Sequence, residues 1–128
     1  MKIKLPVGIN LDEVKELKPV PTDQYVCEVK KIEPKDASTG NPMISWQFMI
    51  IEGDYKGMAP FFFNTVLLEQ SAFSLKDLLT KLGADWEMEG KICVFHTEDC
   101  IKKPIVVIGR LTDWQGKPGN TVDGFLPA

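Results

Sequence analysis

Met43-Ile44-Ser45-Trp46-Gln47-Phe48-Met49-Ile50-Ile51-Glu52 is the stretch on which the fold reading turns. Ile44, Trp46, Phe48 and Ile50 recur every second residue, and Met43, Ser45, Gln47, Met49 and Ile51 alternate with them. A period of two is the mark of a strand, because successive side chains leave opposite faces. The apolar set predicts a buried face, and the mixed set predicts a face turned outward.

Working forward, Gly53-Asp54-Tyr55-Lys56-Gly57 is short enough to turn the chain into an antiparallel hairpin. A third strand follows from Met58 to Leu67 and contains Phe61-Phe62-Phe63. Alternation assigns Ala59, Phe61, Phe63, Thr65 and Leu67 to the interior, and Met58, Pro60, Phe62, Asn64 and Val66 to the outside. Leu75, Leu78, Leu79 and Leu82 then switch to helical spacing, which predicts a helix over about 70–82. Ser71 or Ser74 would cap its start, and Gly83 would close its end. Asp85, Glu87 and Glu89 read as a polar linker. Gly90–Thr97 and Ile105–Thr112 read as strands four and five. Trp114–Asn120 is turn-rich, and Thr121–Leu126 adds a last short strand.

Working backward, Glu33–Pro42 holds Pro34, Asp36, Ser38, Gly40, Asn41 and Pro42, the residues of a loop. Gln24–Ile32 before it alternates, with Tyr25, Cys27 and Val29 on the inner side. Residues 1–23 form a lead-in. There Asn10 would cap a short helix through Leu11, Val14 and Leu17, stopped by Pro19 and Pro21.

Three strands, one helix and a closing group of strands predict a mainly β chain. The expected architecture is a five-stranded OB-fold barrel over residues 20–127, with one helix between strands three and four. A sandwich usually needs about seven strands, and a doubly wound fold needs more helices than are present here.

The bulk properties agree with one globular domain. The chain has 128 residues, 44% hydrophobic and 26% charged. No apolar run reaches the ~18–20 residues of a membrane span. Met1–Pro6 lacks the apolar core of a secretory signal, so a chain acting inside the cell and away from membranes is expected. The net charge is −3, which by itself leaves no basic footprint. Acids concentrate in residues 67–100, with three Lys against seven acids, whereas residues 101–128 carry four cations against two acids. Cys27, Cys93 and Cys100 form no CxxC pair. Buried free thiols fit them better than a disulfide framework or a zinc knuckle.

Enzyme constellations are sparse. His96 is the only histidine, so any Ser-His or Cys-His centre would have to use it. His96-x-x-x-Cys100 offers two metal ligands and no motif for two more. There is no phosphate-binding GxxxxGK[ST] loop and no GxGxxG. No catalysis, metal or cofactor is expected.

Cations and aromatics on the first strands remain. OB barrels bind single strands across strands two and three, stacking bases on exposed rings while Lys and Arg follow phosphates. Lys30, Lys31 and Lys35 leave strand one, Lys56 sits on the strand two–three turn, and Arg110 lies on strand five after Lys102 and Lys103. Phe62 and Asn64 stand on the outward side of strand three. These supply the candidate nucleic-acid contacts: Lys30, Lys31, Lys35, Lys56, Phe62, Asn64 and Arg110. Tyr25, Trp46 and Phe48 are assigned to the core.

Several stretches resemble bacteriophage single-stranded-DNA-binding proteins. Val20–Val29 is similar to their opening strand. Gly40-Asn41, the Ile44, Trp46, Phe48, Ile50 series, Glu52-Gly53 and Tyr55-Lys56-Gly57 are similar to their second strand and turn. Phe73-Ser74-Leu75 with Leu78-Leu79 and Leu82-Gly83 resembles their helix. Gly90-Lys91 and Asn120-x-Val122-x-Gly124-Phe125-Leu126-Pro127 fit their last strands. The resemblance implies an OB fold and sequence-tolerant binding of single-stranded DNA. It further implies a role in phage DNA replication or recombination in the bacterial host cytoplasm, alongside other phage proteins of those processes. Gly124–Ala128 carries no acidic run of the kind many such proteins use to recruit partners, so recruitment through a tail is not expected. The alternative reading is an OB-like protein-interaction or virion-assembly module without nucleic-acid binding, for which the acidic balance and the single arginine speak.

Overall fold

A computed structural model describes residues 1–7 and 19–128. The short helix expected after Asn10 lies outside the described residues. Seven strands and one α-helix follow in the order β1 (Asp23–Asp36), β2 (Pro42–Ile50), β3 (Phe61–Val66), α1 (Ala72–Leu82), β4 (Trp86–Glu89), β5 (Ile92–Phe95), β6 (Pro104–Trp114) and β7 (Lys117–Pro127). Five of them form one antiparallel sheet in the order β3-β2-β1-β6-β7, while β4 and β5 form a separate two-stranded sheet. Among the described residues the chain is mainly β with one short α-helix. No helix among the described residues is long and apolar enough to cross a membrane.

The alternation of β2 is realised residue by residue: Ile44, Trp46, Phe48 and Ile50 are buried and their neighbours are not. Trp46 is fully enclosed, so its indole N–H needs a partner. It donates to Thr65 Oγ1 at 3.1 Å, which explains why a threonine occupies a fully buried position of β3. Phe61 is also fully buried and Phe63 is half-buried. Leu67, expected inside, lies past the end of β3 and is exposed, because the strand stops at Val66. Tyr25 and Phe61 meet with ring centroids 5.6 Å apart.

β1 runs four residues further than expected on its C-terminal side. Positions 33–36, read as loop, pair with β2 through Glu33↔Ser45, Pro34↔Ile44, Lys35↔Met43 and Asp36↔Pro42. Pro34 is tolerated because β6 pairs with β1 only as far as Glu28, so an edge lies open at the proline. Ala37–Asn41 makes the actual turn, with Gly40 at φ 84°.

Two further corrections concern the second half. The expected single strand over 90–97 is a hairpin of two short strands that turns at Gly90-Lys91, and the supposed linker 85–89 supplies one of them. The loop expected over 114–120 shrinks to Gln115-Gly116. Both residues have positive φ, 52° and 78°, as the tightest hairpin turns require. β6 and β7 on either side are 11 residues each.

The five-stranded sheet is not closed into a barrel, since β3 and β7 are not hydrogen-bonded neighbours. Their inner faces nevertheless meet. Phe125 of β7 packs 5.1 Å from Phe63 of β3 and 5.2 Å from Phe48 of β2, ring centroid to centroid. Rings fill the gap where a ladder would need backbones about 4.8 Å apart. Gly109 of β6 meets the Phe61 ring so closely that a Cβ there would lie 2.5 Å from Phe61 Cε1. The sheet therefore curls until β3 lies over β6 and β7. Helix α1 covers this core with Leu78, Leu79 and Leu82, and Gly83 ends it in the left-handed region at φ 73°. Ser71 stands at the N-cap position, although its side chain makes no capping bond.

Candidate nucleic-acid interface

The outer face of β1–β3 is organised by one irregularity. Tyr25, Cys27 and Val29 point inward, so strict alternation would send Lys31 into the core as well. A bulge between Val29 and Lys31 breaks the register: Val29 pairs with Phe48 and Lys31 with Gln47, leaving Lys30 as the extra residue. A bulge re-aims the side chains that follow it. Here it turns Lys31, Glu33 and Lys35 outward and returns Ile32, opposite Trp46, to the core.

Register then assembles three rows across the strands. Lys31, Gln47 and Phe62 form the first, Glu33, Ser45 and Asn64 the second, and Lys35, Met43 and Val66 the third. Lys31, Glu33, Lys35, Ser45, Gln47 and Phe62 line one shallow groove. Phe62 is 55% exposed, the outward ring expected from the alternation of β3. The Gln47 side-chain amide donates to the Ala59 carbonyl at 3.2 Å, which fixes it beside the ring.

Glu33 is the residue that sequence reasoning missed. Its Oε2 lies 3.4 Å from Lys31 Nζ and 3.6 Å from Lys35 Nζ. A hydrogen bond from Lys31, then the charges of Lys31 and Lys35, hold its carboxyl below the ordinary carboxylate value. No local signal exposes this role, because it requires 33–36 to continue as strand.

The remaining candidates are scattered. Lys30 is exposed at the bulge. Lys56 lies on the 53–57 turn, next to a depression lined by Asp23, Glu52 and Asp54 with Tyr25 and Tyr55. Arg110 is on β6 opposite Thr121, outside the groove, with its Nε 3.2 Å from Asp123 Oδ1. Lys103 donates to the Gly83 carbonyl at 3.2 Å, at the end of α1. Thus the structure brings Lys31, Lys35, Phe62 and Asn64 onto one face and leaves Lys56 and Arg110 elsewhere.

His96 follows β5 and opens a 3-10 turn, its Nδ1 3.6 Å from Glu98 Oε1. Cys100 is buried, and its Sγ reaches the His96 backbone carbonyl at 3.8 Å rather than the ring. Among the described residues no group of three or more potential ligands gathers to hold a metal. Cys27 is buried, and burial pushes its thiol up to about 12. Cys93 departs from the expectation of buried thiols, because it lies on the exposed hairpin.

A family profile described as "Protein of unknown function (DUF669)" matches residues 9–127. The chain belongs to that family. No curated protein matches it. Membership covers the whole sheet, the helix and the groove, so the outer face of β1–β3 is part of the unit that defines the family.

Proposed function

We propose that this chain is a non-enzymatic, sequence-tolerant single-stranded-DNA-binding protein, acting in phage DNA replication or recombination. The observation that carries the reading is the row Lys31–Gln47–Phe62, which sets an exposed ring beside a cation on a continuous sheet face. A ring supplies a stacking platform that any base fits, and Lys31 and Lys35 follow the phosphates. The fold supports it too. A first strand shared between β2 and β6, a helix after β3, and a curled sheet whose edges approach at Phe63 and Phe125 are features an OB barrel would share, although the sheet here is open. The β4–β5 hairpin is an addition to that plan.

A second reading, an interaction module without nucleic acid, is favoured by one feature. Lys31, Lys35 and Arg110 each have an acid within 4 Å. Titration of labelled oligo-dT against duplex of equal length separates the two. The expected result is preference for the single strand, with log affinity falling against log salt at a slope of roughly −1.4 to −2.1 for two or three phosphate contacts, from Lys31, Lys35 and the exposed Lys30. No binding of oligo-dT at low salt would overturn the first reading in favour of the second.

A further inference from the structure

Among the described residues the β4–β5 hairpin has no hydrogen-bonded neighbour on either side, so both of its edges offer open backbone groups. An isolated two-stranded hairpin is marginal in water. This one is anchored through Phe95, which stacks on Trp46 at 6.1 Å. All four residues of β4 are exposed. Trp86 and Met88 share one face with Cys93 and Phe95, and Glu87 and Glu89 share the other with Val94 and Ile92. Met88 and Ile92 are 61% and 67% exposed.

The segment Met1–Val7 has the complementary pattern. Lys2 and Lys4 alternate with Met1, Ile3 and Leu5, there is no acid, and every residue is exposed. Its period of two suits an added strand. The edge of β5 offers no acid, whereas the edge of β4 offers two at the same spacing as the two lysines.

We propose that the chain dimerises by arm exchange, with residues 2–5 of one copy adding as an antiparallel third strand to the free edge of β4 in the second. The register that satisfies every position sets Lys2 against Glu89, Ile3 against Met88, Lys4 against Glu87 and Leu5 against Trp86. Both charge pairs then fall on one face and both apolar pairs on the other. Pro6 has no amide donor and ends the pairing. The occupant is a second copy because in the single chain residues 1–7 are exposed and pair with no strand among the described residues, while their lysines match the spacing of the two β4 acids. Reciprocal exchange gives a closed two-fold assembly with no edge of β4 left over.

Light scattering on the full chain tests this. The parent should elute at twice 14.4 kDa. Lys2→Glu with Lys4→Glu, and separately Glu87→Lys with Glu89→Lys, should each lose the dimer at the same concentration. The variant combining all four substitutions should regain it. Thermal melts of the two double variants report whether the fold is kept, and exposed positions predict that it is. A parent that stays at 14.4 kDa at every concentration overturns the proposal. So does a dimer that survives both charge reversals, or a four-fold variant that remains monomeric.

Discussion

The β2–β3 and β4–β5 hairpins carry similar sequence patterns and meet opposite fates. Both alternate apolar with polar residues, as Ile-Ser-Trp-Gln-Phe in β2 and Trp-Glu-Met-Glu in β4 show. In β2 the apolar set is entirely buried, because β1 and β3 flank the strand and α1 and β7 close over its inner face. In β4 the apolar set stays exposed, because β5 is its only neighbour among the described residues. Alternation thus reports a strand with two unlike faces, while burial depends on what the rest of the chain lays over it. One hairpin became core, and the other is left as surface with unused pairing capacity.

The sharpest way to break that contrast is to truncate one apolar residue in each hairpin. Phe61→Ala should cost about 3–5 kcal/mol, the usual effect of emptying an enclosed Phe site. Ile92→Ala, at an exposed position of the second hairpin that the proposed arm does not pair with, should stay within about 0.5 kcal/mol. Denaturant melts of the two variants measure both, and equal losses would erase the distinction. Phe63→Ala should fall below Phe61→Ala, because its ring is only half-buried and rests on Phe125.

A smaller effect is expected at the place where the sheet curls over itself. Gly109→Ala puts a Cβ 2.5 and 2.6 Å from two atoms of the Phe61 ring. Forcing an extra carbon into a filled core costs about 1–3 kcal/mol. Residues in contact are not additive. Phe61→Leu in the Gly109→Ala background should therefore cost less than the sum of the two single changes. Strict additivity would mean that β3 does not lie over β6.

Phe62→Ala tests the outer face of the same strand. Loss of one stacked base is worth about 1–3 kcal/mol, so oligo-dT binding should weaken roughly 5- to 150-fold. Stability should hardly change, since the ring is exposed. A variant that melts early while binding normally would reverse the assignment of the two faces of β3.

The legible part of the molecule was its regular part. The inward series of β2, the outward Phe62, the leucine face of α1 and its closing Gly83 follow from spacing alone. Three features did not. The bulge at Lys30 is invisible to composition, because any residue can be the inserted one. Pro34 and the turn formers around it outweighed the strand signal, although an open edge admits proline. The acids of β4 masked its alternation, since exposed glutamates are common to strands and linkers alike. The site suffered from the same causes. Which face Lys31 and Lys35 occupy depends on the bulge, and Glu33 joins them only because the strand continues through Pro34.

The smallest expected effect sharpens the groove itself. Glu33 holds both lysines that the proposed mechanism offers to phosphates. Its carboxyl, lowered first by the Lys31 hydrogen bond and then by the two lysine charges, is ionised at neutral pH. A bound strand must therefore displace an anion already in place. Glu33→Gln removes that competitor, and binding of oligo-dT should tighten by no more than roughly fivefold, as befits exposed ion pairs. The same release should occur in the parent when pH falls through the lowered Glu33 value. The sign follows from the shift. The ion pairs are complete above the ordinary carboxylate value of 4.5 and are lost as the carboxyl takes up its proton below it. The glutamine variant should lack this acid-side gain. Titrations of both proteins at neutral and acidic pH measure the difference. If the variant binds more weakly than the parent, Glu33 orients the lysines for the strand rather than competing with it.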